Sequence, residues 1–190
     1  PSPPLPLEVR RYEAYTVAET TVKASFKEAT SAGFRLCAGY LFGKNSPRAS
    51  IGLLRRSLPA SAGEKMEMTA PVRQSVAPRG RREVKVSFLM SKKRTLGSLP
   101  VPRDAKVKLR SVPAHFAAFK RFNGPPPTDA VVAKKEAVVL KALAETGGVA
   151  AVRPVAGGET LVYGYHDPFL VPSLLRRNEV GVMVEGPGAK

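Results

Sequence analysis

Apolar side chains recur along this chain with two periods, and the change from one to the other marks its elements. Val84, Val86, Phe88 and Met90 alternate with Lys85, Ser87 and mostly polar neighbours, the period of a strand buried on one face, over about 83–90. Val107 and Leu109 alternate with Lys106, Lys108 and Arg110 in a shorter, half-exposed strand. Residues 9–22 are rich in Val, Tyr and Thr and suit a long strand. Met66 and Met68 alternate with Lys65, Glu67 and Thr69, which predicts a strand over 65–74 with both thioethers on one face. The period changes at Phe26, where Phe26, Ala29, Thr30, Gly33, Phe34, Cys37, Tyr40 and Leu41 follow helical spacing. Ser25 with Glu28 has the form of a capping box, and Gly43-Lys44-Asn45 closes the helix.

The pattern then restarts. Residues 115–122 read as a strand, and Pro125-Pro126-Pro127 precedes a helix capped by Thr128 or Asp129. Val131, Val132, Val138, Val139, Ala142 and Leu143 form its expected buried stripe, and Gly147-Gly148 ends it. Strands follow at about 160–166 and 179–185. Strand–helix–strand–strand thus occurs twice without residue identity between the copies, so the architecture repeats rather than the sequence. One α+β domain over 8–186 is expected, with halves of about 8–112 and 113–186, antiparallel strands, and helices on a curved sheet. Residues 1–7 read as an extended arm and 187–190 as a tail.

Charge changes this picture more than composition does. The 190 residues carry a formal net charge of +16. From Arg73 to Arg110 twelve Lys/Arg stand against Glu83 and Asp104. Such a stretch attracts an acidic membrane surface or protein partner, or serves as a solubilising face. No nucleic-acid motif accompanies it, Trp is absent, and the aromatics do not interleave with the basic run. No apolar run approaches bilayer-spanning length. The single Cys37 excludes an internal disulfide framework. The composition, the absence of an initiator Met and the basic chain point to a plastid (chloroplast) protein, the alternative being cytoplasmic. A monomer is expected.

Familiar catalytic constellations are missing. There is no Gly-x-Ser-x-Gly elbow and no phosphate-cradling loop. Cys37 falls in the apolar stripe of a helix, where a structural thiol is expected. His115 and His166 are the only imidazoles. Either suits an axial iron ligand or an ordinary role, and His166, at a strand end before a loop, has the better location for a ligand. Arg176-Arg177-Asn178-Glu179 suits a grip on a carboxylate or a structural clamp on a neighbouring Glu.

Several segments, in order, resemble the SOUL family of haem-binding proteins over about residues 8–185. They are Tyr12-Glu13, Tyr40-Leu41-Phe42-Gly43-Lys44-Asn45, Lys65-Met66-Glu67-Met68-Thr69-Ala70-Pro71-Val72, Leu99-Pro100 with Pro102, Phe119 to Gly124, and Tyr165 through Arg176-Arg177-Asn178-Glu179-Val180. The resemblance implies a pseudo-symmetric duplication of a strand–helix–strand–strand unit, forming a twisted, barrel-like antiparallel sheet flanked by two helices. It also implies non-covalent binding of haem or another porphyrin in a shallow apolar cleft, as carrier, buffer or sensor. Carried over, the cleft is lined by Tyr40, Leu41, Met66, Met68 and Tyr165, with Lys44, Lys65 or Arg176 meeting the propionates. Apolar and thioether walls suit a flat macrocycle, and cations suit its carboxylates. His166 stands where the family has an Asn, which makes it the candidate metal ligand. The 18 residues Ser46–Gly63 exceed the expected connection and read as a lid or as disorder. Two other classes stay open: an enzyme acting on tetrapyrroles by metal removal or ring degradation, and an interaction module binding acidic lipid or protein through residues 73–110.

Overall fold

The computed structural model describes residues 7–48, 63–68, 71–77, 83–145, 152–165 and 171–186. Ten strands and two helices follow in chain order: β1 Glu8–Tyr12, β2 Tyr15–Val22, α1 Phe26–Leu41, β3 Asn45–Ser46, β4 Val72–Val76, β5 Val84–Leu89, β6 Val101–Pro102, β7 Lys108–Val112, β8 His115–Asn123, α2 Asp129–Glu145, β9 Thr160–Gly164 and β10 Arg177–Val184. A 3-10 turn, Ser173–Leu175, precedes β10. Eight strands form one antiparallel sheet in the order β1-β8-β10-β9-β4-β5-β2-β7, and β3 pairs with β6 alone.

The order reveals the duplication. In one half the sequence β2-α1-β4-β5 gives neighbours β2, β5 and β4, and in the other β8-α2-β9-β10 gives β8, β10 and β9. The halves join along β4 and β9, where Gln74 pairs with Val162. The second half begins at β7, ahead of the boundary expected at 112, and each half lends its leading strand to the other: β1 pairs with β8, and β7 pairs with β2. The expected strand over 9–22 therefore breaks at Glu13-Ala14, because its first part belongs to the other half of the sheet. The sheet curls until its corners meet. Tyr12 stacks on His115 at 5.2 Å between ring centres, and Tyr15 lies 5.9 Å from the same ring. The result is an α+β half-barrel with both helices on its outer face, as the sequence predicts.

Strand alternation sorts the side chains. Even-numbered positions of β4, β5, β9 and β10 meet the helices. The largest cluster joins Val84, Val86, Phe88, Val162 and Val180 to Phe26, Ala29, Cys37, Tyr40 and Leu41 of α1. Gly33 of α1 lets the helix rest on β5, since a Cβ there would stand 2.6 Å from Val86 Cβ. A second cluster puts Val182, Val184 and Ala118 against Val139 of α2. Odd-numbered positions face the helix-free interior, where Ala117, Phe119, Leu161 and Tyr163 pack with Tyr12, Tyr165 and Met183.

The capping box of α1 is present: Ser25 accepts from the Glu28 backbone, and the Glu28 carboxylate accepts from Ser25 N–H at 3.3 Å. Three details differ from the sequence reading. Lys65–Met68 is not part of a strand. Lys65 makes one bridge to Phe42, and Met66 N–H donates to the Leu41 carbonyl at 2.8 Å, so this segment is anchored to the helix end instead of the sheet. In α2 only Val132 and Val139 are buried, while Val131 and Val138 keep over a third of their surface exposed, because the helix rests on the sheet along a narrow line. The basic stretch is not one outer face either. Arg73, Lys85 and Arg110 turn into the helix-free interior, and Arg94 pairs with Glu64. Most of Ser46–Gly63 and Arg79, Arg81 and Arg82 lie outside the described residues.

Candidate functional site

Phe26, Thr30 and Phe34 are spaced four apart, so they form one line along α1, adjoining the stripe that Gly33, Cys37 and Leu41 press into the core. That line faces the seam of the sheet across a cleft. Val72 and Gln74 of β4 and Val162 and Gly164 of β9 make its floor, in the paired register Val72 with Gly164 and Gln74 with Val162. Pro126 and Pro127, leading into α2, form one wall, and Tyr165 with Arg176, Arg177 and Asn178 form the other. The two helix starts are tied together above the seam: the Phe26 backbone N–H donates to both Asp129 carboxylate oxygens, at 3.1 and 3.2 Å. Asn178 Nδ2 donates to the Gly124 carbonyl at 2.9 Å and Arg176 Nε to the Val171 carbonyl at 2.7 Å, which hold the far wall in place.

The walls are mostly hydrocarbon, with the basic pair at one side. The cavity volume is about 110 Å³, below the roughly 300–1,000 Å³ of pockets that enclose a small molecule. A bound molecule of tetrapyrrole size would therefore lie against the cleft with an edge inside it. Thr30 Oγ1 is buried beside the cleft and has no hydrogen-bond partner among the described residues.

Behind the Tyr165 wall lies a charged cluster on the interior face. The Glu179 side chain is wholly buried and takes Arg10 at 2.6 and 3.0 Å, Arg177 at 2.5 and 3.1 Å, and the Tyr165 hydroxyl at 2.7 Å. The Arg177 guanidinium also covers the Tyr165 ring at 4.5 Å. Burial alone would raise the Glu179 carboxyl, but the hydrogen bonds from Arg10, Tyr165 and Arg177 outweigh it and hold the group at about 2. Burial first, then the bond to Glu179, pushes the Tyr165 phenol above its ordinary value. Glu179 thereby fixes both Tyr165 and Arg177 at the cleft's edge.

Of the residues expected from sequence, Tyr165 and Arg176 meet in this cleft. The others gather at the opposite end of α1, about 15 Å along the axis from Thr30. There Tyr40 and Leu41 are sealed in the core, and the Tyr40 hydroxyl donates to the Pro100 carbonyl at 2.9 Å. Met66 packs on the same core, Met68 is 46% exposed, and Lys44 and Lys65 are exposed. Asn45 explains that corner: wholly buried, it donates to the Tyr40 and Glu64 carbonyls at 2.7 Å each and accepts from Glu64 N–H at 2.9 Å. His166 lies outside the described residues. His115 stands on the interior face, away from the cleft. Sequence reasoning missed Phe26, Thr30 and Phe34 as a cleft wall, since helical spacing alone marked them as core. The signal was the surplus: eight apolar or small positions in one stripe are more than a single buried line of a helix requires.

Residues 5–183 match the family model described as SOUL heme-binding protein. No curated protein sequence matches the chain. Solved structures share its fold. The EcmrR C-terminal domain superposes with a TM-score of 0.65 at 10% identity, over 95% of this chain and 98% of that one. A protein described as a hydrolase from Listeria innocua superposes with a TM-score of 0.59 at 12% identity, over 97% and 94%.

Proposed function

Because the chain belongs to the SOUL heme-binding protein family, we propose that the cleft between α1 and the β4–β9 seam holds an edge of haem or a related tetrapyrrole, without a covalent bond. One observation carries this assignment: a shallow apolar cleft, walled by Phe26, Phe34, Val72 and Val162, has Arg176 and Arg177 along one side. That chemistry fits a flat hydrocarbon ring with carboxylates on its rim. The open shape supports carriage or buffering, in which the ligand is taken up and handed on. Among the described residues lining the cleft there is no His, Cys or Met, so the contacts they supply are to the macrocycle and its carboxylates, not to iron. His166 follows the Tyr165 wall directly in sequence and is our candidate for an axial ligand. No described helix is long and apolar enough to cross a membrane.

The test is a haem titration followed by absorbance on the wild-type chain and on Phe34→Asp, Arg176→Gln, Met68→Ala and His166→Ala. A saturable Soret shift is expected, weakened at least tenfold by Phe34→Asp and several-fold by Arg176→Gln, and unchanged by Met68→Ala. Loss of the ligated-iron bands in His166→Ala alone would assign the axial bond. No spectral change in the wild type at micromolar protein, or full affinity in Phe34→Asp, would overturn the assignment to this cleft.

A further inference from the structure

The cleft uses one face of the sheet, and the other holds an unexplained charge. Arg73 of β4 sits at the seam between the halves, paired in register with Tyr163 of β9 and Ser87 of β5. Its side chain points into the helix-free interior and the residue is 2% exposed. Neither its Nε nor its Nη1 has a hydrogen-bond partner among the described residues. The carboxylates whose charge it feels are held by other cations. Glu19 takes Arg110 at 2.7 and 2.9 Å and Ser87 at 3.3 Å, and Glu159 takes Lys85. Glu179 is shared by Arg10 and Arg177. Among the described residues no carboxylate is therefore left to Arg73 alone, and a buried guanidinium with two nitrogens short of partners is strongly unfavourable unless an anion or polar group meets it.

A second orphan lies on the same face. His115 Nε2 is buried without a partner, while Nδ1 stands 2.9 Å from the Pro113 carbonyl. That carbonyl can only accept, so the proton is on Nδ1 and Nε2 offers a lone pair. Burial first, and the Arg73 charge as well, lower the His115 pKa and keep the ring neutral. Tyr15 Oη faces Tyr163 without a hydrogen bond of good geometry. Aromatic rings pack together on the same face: Tyr12 lies 6.1 Å from Phe119, and Phe119 lies 4.8 Å from Tyr163.

We propose that this interior is a second ligand site, for a small oxyanion that keeps a hydroxyl, with its anionic oxygens on Arg73 and its hydroxyl donating to His115 Nε2. The site is on the opposite face from the tetrapyrrole cleft and does not depend on it.

The chain has no Trp, and three of its five tyrosines, Tyr12, Tyr15 and Tyr163, are on this face, with Tyr165 at its border with the cleft, so tyrosine emission of the haem-free chain reports on the site. The experiment titrates the full chain with inorganic phosphate and separately with 4-hydroxybenzoate, at constant ionic strength made up with chloride. A saturable change in emission and a rise in Tm with either probe is expected, and the tighter probe tells a phosphate from a carboxylate ligand. Arg73→Gln should weaken it at least tenfold and His115→Phe several-fold, while Lys106→Gln, on the exposed surface, should not change it. Should Arg73→Gln fail to fold by circular dichroism, His115→Phe and Arg73→Lys carry the test. No response to either probe, an equal response to chloride alone, or a response untouched by His115→Phe would overturn the proposal.

Discussion

Glu179 shows how one residue positions a site it does not line. Its carboxylate collects two guanidiniums and a phenol on the interior face, and two of those partners, Arg177 and Tyr165, edge the cleft on the other. The group falls from an ordinary 4.5 to about 2 on folding. A depressed carboxyl stabilises the fold above its unfolded pKa and loses that contribution as pH falls toward the folded one. The contribution is therefore complete above about pH 5 and drains away between there and pH 2, for roughly 3 kcal/mol in all. Glu179→Gln should lower stability at pH 7, because Arg10 and Arg177 lose their counter-charge, and should flatten the acid limb. Urea unfolding at pH 7, 4 and 3 measures both effects, and an acid limb as steep as that of the wild type would refute the account. The sequence placed Glu179 beside two arginines. It left open whether those arginines gripped a ligand or a neighbouring acid, and the fold, by turning Glu179 inward, directs Arg177 to the acid.

At the scale of elements, α1 carries most of the information. Its cap, its length and its buried stripe are all local properties, and the chain writes them plainly. The contacts that give the stripe its meaning are not local. Gly33 and Gly39 look alike in sequence, each a helix-weakening residue. In the structure a Cβ at Gly33 would collide with Val86, whereas one at Gly39 would meet only the aliphatic stem of exposed Lys44, at 3.1 Å. Gly33→Ala should therefore cost about 1–3 kcal/mol by prising α1 from β5. Gly39→Ala should be neutral or stabilise by up to about 1 kcal/mol through helix propensity. Paired thermal melts decide it, and equal shifts for the two variants would rule out the packing explanation. The same contrast applies to Met66 and Met68. Their alternation suggested a strand, but the chain there bonds to the end of α1 through Met66 N–H and Asn45, and a side-chain amide leaves no periodic trace.

For the whole molecule, the exchange of leading strands is the decisive feature. β1 completes the edge of the second half beside β8, and β7 completes the first beside β2. Each loan is locked by an arginine on a buried carboxylate, Arg10 on Glu179 and Arg110 on Glu19. Removal of residues 1–12 would strip β1, bare the β8 edge and leave Glu179 short of a counter-ion. Loss of the cooperative melt, or association through the bare edge in size-exclusion chromatography, is expected. A monomer with an unchanged melting curve would show that the exchange is dispensable.

Periodicity and capping residues are carried by neighbours in sequence, and they determined both helices, most strands and the doubled architecture, while the ordered motif segments carried the resemblance to the family. The motif Tyr40 to Asn45 and the Leu99-Pro100 pair were legible as a signature, and the hydrogen bonds of Tyr40 and Asn45 brace the corner at the end of α1. The cleft is built from the first half of α1, the prolines before α2 and strands on both sides of the seam, and no local pattern encodes which of these meet. Only the tertiary structure decided that Phe34, packed against the core at Phe88, also lines the cleft beside Val162, and that Arg73 is buried at the seam with Nε and Nη1 unpartnered among the described residues. Strand pairing over long sequence separations sets those neighbours, and it depends on the simultaneous fit of all the elements.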